Sequence, residues 1–412
     1  MFNTRFKSHH DVKDFIVSKT GRNLRTPISY WNKLNKPAID KDGGIYIHVP
    51  FCDKICSFCN MNRTQLDNNL DDYTNYLIKE IKKYKNKKYI ESKEISVIFF
   101  GGGTPTIFKP YQLEKILSTL RDTFTLASNC EFTFETTLHN LNDEKLEIMQ
   151  KYGVNRLSVG IQTFSDRGRK LLNRTYTQAQ VIEKLKDIKS KFKGLVCIDI
   201  IYNYLDQTFE EILEDARIAK DISPDSISFY SLMIHEGSKI SKDLNSGAKS
   251  FDYELKKDKE IHDLFLREMS KGGYKLLEYT KITKGTDSYK YIRNTHKLKD
   301  LIPIGIGAGG RVGDLEIYNL NKFITFYSKD SDLTTKMKKL SGIAQNEFVD
   351  YESIKNITGN SYNNILDTLK ELENLNYIIL KEDGYLCTDK GIFFGNNISA
   401  KLVNTFYEAN NK

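Results

Sequence analysis

Three of the chain's six cysteines stand within eight residues, in the stretch GGIYIHVPFCDKICSFCNMNR at 43–63. Cys52, Cys56 and Cys59 are spaced Cys-x3-Cys-x2-Cys, whereas Cys130, Cys197 and Cys387 are isolated. A disulfide, a zinc knuckle, chance and a metal cluster left one ligand short are the four readings of such crowding. The N-terminal MFNTRFKSHHDVKDF has no apolar core of the secretory kind, so a disulfide framework is not expected. A structural zinc would close its shell with a fourth Cys or His. The only nearby histidine, His48, sits inside an apolar run and reads as a strand residue. Iron–sulfur clusters usually take four thiolates. Three thiolates on a four-iron cluster leave one iron open to a chelating small molecule, which can then receive an electron. Cys130 in CEFTFET and Cys197 in GLVCIDII lie in strand-like runs and read as buried structural thiols.

The elements that must carry this loop alternate regularly. Apolar, β-rich runs at 45–51, 95–101, 131–136, 156–164, 195–202 and 226–233 alternate with helical patterns at 70–84, 111–124, 141–153, 177–192 and 208–222. Such alternation predicts βαβ units and a parallel sheet. Six right-handed units in a row predict an α/β fold of the partial (β/α)6, TIM-like barrel type, with a doubly wound open sheet as the alternative. The cysteine loop directly follows the first strand. In a parallel barrel the loops at the strand C-termini form the active-site face, so the cysteines are expected there.

Beyond residue 240 the rhythm changes. Residues 253–274 read as one long helix ending in glycines, and the glycines of LIPIGIGAGGRVG (301–313) predict close backbone packing. From about 330 the pattern is helix, helix, hairpin, with a turn at Asp383-Gly384, which reads as a winged-helix-like α+β domain. Without a basic recognition face it is expected to be a lid or packing domain. The division expected is 1–40 as an N-terminal arm, 41–240 as the barrel core, 241–325 as a barrel extension and 326–412 as the C-terminal domain.

Composition narrows the class. At 412 residues, 39% hydrophobic and 28% charged, the chain is a globular protein long enough for more than one domain. A net charge of +8 is mild for this length and does not suggest a nucleic-acid partner; the basic run EIKKYKNKKYIESK (80–93) reads as a solvated helix end. No apolar run approaches the ~20 residues that cross a bilayer. No membrane is therefore expected, and a cytoplasmic location is the default.

The cysteine triplet, with Phe58 before its third member, resembles the radical S-adenosylmethionine (SAM) superfamily. Further motifs, in strand order, resemble the oxygen-independent coproporphyrinogen III oxidase family: Tyr46 in IYIHVPFC, GGGTPT with Gly102, Gly103 and Thr104, Glu135 in TFET, Gln162 in GIQTF, Arg174 in LLNRTY and Asp199 in CIDIIY. SISFYSLMIHEGSKI resembles its sixth-strand segment and GIGAGG its late glycine segment. The resemblance covers roughly residues 44 to 400. It implies a 4Fe–4S cluster on Cys52, Cys56 and Cys59, with SAM chelating the open iron and cleaved on reduction to methionine and a hydrogen-abstracting 5′-deoxyadenosyl radical. It also implies that Phe58 packs on the adenine, that Glu135 or Asp199 holds polar groups of SAM, and that Arg174 pairs its carboxylate. An electron donor such as flavodoxin and a second SAM belong to the same expectation.

Departures select the branch. YNYLDQT stands at 202–208 where the family reads YGLPgQT. The His-Asn-x-x-Tyr-Trp segment of the oxidases and heme chaperones is replaced by YIRNTHKLKDLIPIGIGAGG, and the single tryptophan is the distant Trp31. The ending Gly307-Ala308-Gly309-Gly310 resembles the heme-utilisation branch, similar to anaerobic heme-degrading radical SAM methyltransferases. The implied activity is opening of the porphyrin ring with methyl transfer and iron release, methyl transfer following the radical route because no separate methyltransferase fold is expected. Coproporphyrinogen oxidation and a heme chaperone without tetrapyrrole turnover are the alternatives. Heme is expected between the barrel mouth and the C-terminal domain. Asn60 and Arg63 are expected to line the pocket, Arg63 against a propionate. His9, His10, His139, His235 and His296 are candidate iron ligands, His139 standing nearest the expected site.

Overall fold

The computed structural model describes residues 2–59, 64–65 and 70–411. Six strands appear where the apolar runs predict them: β1 Asp42–Val49, β2 Glu94–Gly102, β3 Leu126–Thr136, β4 Arg156–Gln162, β5 Leu195–Tyr202 and β6 Ser226–Ser231. They are hydrogen-bonded in chain order and all run parallel. Near-continuous burial along β1, β2 and β5 reflects a sheet covered on both faces. The helices between them carry apolar stripes. Leu70–Lys82 buries Leu70, Tyr73, Thr74, Leu77 and Ile81, the spacing of one helix face. Thr177 with Gln180, and Thr208 with Glu211, form capping boxes that start two of the helices.

Strand order decides between the two expected topologies. A doubly wound sheet reverses direction partway, which places helices on both faces. Here β1 to β6 follow one another without reversal, so every crossover runs the same way. The sheet extends further than the sequence reading foresaw. The antiparallel hairpin of β7 Lys275–Glu278 and β8 Lys281–Thr283 joins β6. On the other side, β9 Leu301–Ile304 pairs parallel with β1, and β10 Gly309–Val312, β11 Leu315–Asn319 and β12 Thr325–Lys329 continue as an antiparallel meander. The two-residue strand Leu24–Arg25 completes a mixed sheet of thirteen strands.

A buried plug closes the N-terminal ends of β4 to β6. Arg156 is fully buried and forks onto Asp287 through Nε at 3.2 Å and Nη2 at 2.9 Å, with the Tyr289 ring 4.5 Å from the guanidinium. Ser226 Oγ also donates to Asp287, as does Cys197 Sγ at 3.3 Å. Cys197 and Cys130 are buried free thiols, as their strand context predicts.

The C-terminal segment has its own apolar core. It runs helix Asp332–Ile343, strand Phe348–Asp350, helices Tyr351–Thr358 and Tyr362–Asn374, then the hairpin Ile378–Leu380 and Gly384–Cys387, whose strands form a three-stranded antiparallel sheet with the first. Helix Gly395–Asn410 follows. The N-terminal arm proves more ordered than its polar sequence suggests. Helix His9–Thr20 buries Val12 and Ile16 in the C-terminal core. Among the described residues no helix is long and apolar enough to cross a membrane.

Candidate active site

The cysteine loop leaves the C-terminal end of β1 and is fastened on two sides. Toward β2, Gly103 N–H donates to Val49 O at 2.7 Å and Thr104 N–H to Phe51 O at 2.8 Å. Phe51–Cys52 also forms a short parallel pair with Thr64–Gln65. A methyl group at Gly103 would come within 2.4 Å of Phe51 O and 3.0 Å of Cys52 Sγ, so only glycine permits this approach. Thr104 Oγ1 lies 3.6 Å from Cys52 Sγ. Toward β4, Ser57 is buried, its hydroxyl donating to Leu171 O at 2.7 Å and its N–H to Leu172 O at 3.2 Å. Asn173 Nδ2 donates to Ile55 O at 2.7 Å, and Arg174 Nη1 reaches Cys56 Sγ at 2.8 Å. Cys52 is buried, Cys56 and Cys59 are partly exposed, and none of the three is in a disulfide.

The strand ends bring the remaining predicted residues toward this loop. Glu135, near the end of β3, accepts from Gly102 N–H at 3.1 Å. Burial, then repulsion from Asp199, pushes its carboxyl up to about 8, against the Gly102 hydrogen bond. Asp199 on β5 accepts from Ser158 Oγ at 3.4 Å. Tyr46 bonds His48 Nδ1 at 3.0 Å and is close enough to Glu135 for that carboxylate to raise its phenol further, beyond the effect of burial and Tyr291. Its ring stacks with Phe99 and with Tyr291 at centroid distances of 6.1 and 6.2 Å. Gln162 ends β4 with a left-handed φ of 70°. Arg174 Nη2 donates to Gly160 O, and a methyl group at Gly160 would meet Gln162 Nε2 at 3.2 Å and Arg174 Nη2 at 3.8 Å. Gln162, Arg174 and Cys56 thus share one corner, and Gly102, Glu135 and Asp199 the next.

Some placements differ from the sequence reading. Arg174, expected from its sequence context on the helix that follows β4, occupies the turn beyond helix Asp166–Leu171. Phe58 packs against an apolar cluster of Leu172, Ile201, Tyr204, Leu205, Leu232 and Ile240. His139 is on the surface, its side chain 54% exposed, 3.4 Å from Asp53. Asn60 and Arg63 lie outside the described residues. Two organisers escaped the sequence reading. Buried Arg169 donates to Ile161 O at 2.9 Å, Thr163 O at 2.8 Å, Tyr176 O at 2.9 Å and Thr175 O, clamping the segments that carry Gln162 and Arg174. Buried Asp215 accepts from Phe164 N–H at 2.7 Å and Thr163 Oγ1 at 2.9 Å. An arginine in DRGRKL carries no local signal of this, because its partners are backbone carbonyls.

The arrangement suits a cluster and a polar chelating ligand. Among the described residues no three His, Cys, Asp or Glu side chains stand close enough to hold a single metal ion. A four-iron cube is larger than an ion, and thiols that grasp it stand further apart. Gln162 Oε1 and Arg174 Nε are buried without partners, which leaves polar groups to be satisfied beside Cys56. Two cavities, of about 590 and 170 Å³, contain none of the predicted site residues; the larger, lined by Lys36, Tyr89 and Lys299, lies near the N-terminal ends of β1 and β9.

Residues 46–218 match the family described as the Radical SAM superfamily. The chain is 27% identical to the anaerobilin synthase of Escherichia coli O157:H7 over 307 residues, 72% of this chain and 67% of the relative. It is 24% identical to the heme chaperone HemW of Lactococcus lactis subsp. lactis (strain IL1403) over 380 residues, 89% of this chain and 98% of the relative. The solved structure of coproporphyrinogen III oxidase HemN from Escherichia coli, described as a radical SAM enzyme, superimposes with a TM-score of 0.78 at 18% identity, covering 98% of this chain and 99% of that one. That likeness covers the parallel core, the antiparallel additions at both edges and the C-terminal segment. Residues 46–218 thus match the radical SAM superfamily, and over most of its length the chain is similar to an anaerobilin synthase and to HemW and shares the fold of HemN.

Proposed function

We propose that this radical SAM protein acts on heme, opening the porphyrin ring with methyl transfer and release of iron. The observation that carries the reading is the late segment YIRNTHKLKDLIPIGIGAGG, which replaces the His-Asn-x-x-Tyr-Trp pattern of the oxidases and chaperones. Similarity to an anaerobilin synthase supports it. Cys52, Cys56 and Cys59 would hold a 4Fe–4S cluster, with SAM on its open iron and room for a second SAM left open. When bound, these groups supply one-electron reduction and hydrogen-atom abstraction. The chain's own residues orient and shield. Arg174, anchored to Gly160 and facing Cys56, pairs the SAM carboxylate, and Gln162 offers its unpartnered amide oxygen. Gly102, Gly103 and Thr104 present a close backbone edge. Glu135 and Asp199 hold polar groups of SAM, with Tyr46 near Glu135.

We assign residues 41–240 to a partial (β/α)6 barrel, 241–325 to its extension and 326–412 to a winged-helix-like domain, with 1–40 as an arm linking them. An external reductant of the flavodoxin kind supplies the electron. The heme chaperone is the second reading, favoured by similarity over 98% of the HemW relative's length. Anaerobic reconstitution followed by SAM, reductant and heme separates the two. Loss of the Soret band with a methylated linear tetrapyrrole by mass is the expected result. Intact bound heme after SAM cleavage supports the chaperone, and conversion of coproporphyrinogen III in parallel supports an oxidase.

A further inference from the structure

Four of the seven histidines gather at one place. His9 and His10 open the N-terminal helix behind the cap Ser8, their rings 4.3 Å apart. His296, at the end of helix Lys290–His296, meets His9 edge-on at 6.2 Å. His235, in the loop after β6, is near enough to His10 for its charge to disfavour protonation there. Reduced solvation disfavours the protonated form of all four imidazoles, most of all at His9 and His296, the latter pushed down to about 4. His296 Nε2 is buried without a hydrogen-bond partner, so the group is not satisfied by the protein around it. No ion pair among the described residues accounts for the gathering.

Segments beside two of these histidines reach toward the cysteine loop. Lys7 Nζ ties the arm to Leu232 O at 2.8 Å, just past β6. Ile240, beyond His235 in the following segment, donates its N–H to Ser57 O at 2.9 Å in the cysteine loop. Like the thiols, these imidazoles do not converge as the donors of a bare cation must. Iron already held by four porphyrin nitrogens lacks only one or two axial donors, a need that imidazole meets. His10 is the exposed member that an incoming ligand can reach, and the exposed Lys13 follows one turn on to meet a propionate.

Resting on the heme reading above, we propose that His10, backed by His9 and His296 and faced by His235, supplies the axial ligand to the iron of the tetrapyrrole substrate. The test is titration of the reconstituted full-length protein with ferric heme, followed by absorption and electron paramagnetic resonance. The wild type is expected to show imidazole-ligated heme. His10→Ala, and His9→Ala/His10→Ala, are expected to lose that signature and to bind heme at least tenfold more weakly. Added imidazole should restore the spectrum of His10→Ala, which a merely structural role would not allow. His139→Ala is expected to match the wild type. Wild-type spectra in His9→Ala/His10→Ala and in His235→Ala would overturn the assignment, even if heme is still degraded. An imidazole signature lost in His10→Ala without any ring opening by the wild type would leave the ligand in place and remove the degradation reading alone.

Discussion

At the residue scale, the carboxyl of Glu135 is the most informative group. Burial first, then the neighbouring Asp199, raises it to about 8, so near neutrality the free protein keeps it protonated. The cationic groups of SAM favour the ionised form, so binding must expel a proton. The sign follows. SAM affinity should rise with pH by up to about tenfold per unit, levelling near pH 8, with proton uptake by buffer visible in calorimetry. Glu135→Gln should flatten this dependence and weaken binding. A pH-independent affinity in the wild type would remove Glu135 from the site. The same shift bears on stability: the proton is bound in the folded state and not in the unfolded one between the ordinary glutamate range and about 8, so Glu135 makes the unliganded fold lose stability as pH rises through that window. Most of these residues were legible in the sequence, because cysteine spacing and glycine runs are local patterns. Ser57 and Asn173 were not, because each donates to a backbone carbonyl in a segment far away in the chain, and Arg169 was not, because its partners are backbone carbonyls, which carry no residue signature.

At the element scale, the strands and the helices between them were legible from hydrophobic period, as in β1 to β6. The parallel partner of β1 was not. LIPI is too short to announce a strand, and its pairing with GIYI spans the whole barrel sequence. The glycines that follow it did announce close approach: a methyl group at Gly310 would fall 2.1 Å from Leu301 O. Arg169 is the hinge of the site at this scale. Its four carbonyl acceptors lie in the two segments that carry Gln162 and Arg174. Arg169→Met should leave those carbonyls buried and unmet, at a cost of about 3 kcal/mol read from a urea midpoint. SAM affinity should fall with it, because Arg174 is no longer held against Cys56. Unchanged stability with unchanged binding would show that the clamp has no function.

At the scale of the whole molecule, two apolar cores are joined by the N-terminal segment. Arg5 reaches Asp258 at 3.1 Å and Tyr202 OH at 2.7 Å, and its guanidinium lies 3.9 Å from the Phe393 ring. Phe2 N–H meets Tyr377 OH at 3.0 Å, and Asn397 bonds the arm at Thr4 and Phe6. Removing the guanidinium would strand a fully buried Asp258 carboxylate. Arg5→Ala should therefore cost about 3 to 5 kcal/mol, with faster amide exchange in helix Gly395–Asn410. Exchange confined to the arm would show that the two cores dock without it. The arm's order was not legible because its buried contacts are few and widely spaced, and its partners lie between 197 and 393 residues away.

The account stands on an iron of the cluster that no side chain of the protein occupies. Electron–nuclear resonance on the anaerobically reconstituted, reduced protein with SAM labelled at its methionine amino nitrogen and carboxylate oxygens tests this directly. Hyperfine coupling of both labels to the cluster, lost in Cys56→Ala, is the predicted result. A cluster that shows no coupling to either label in the presence of saturating SAM would contradict it.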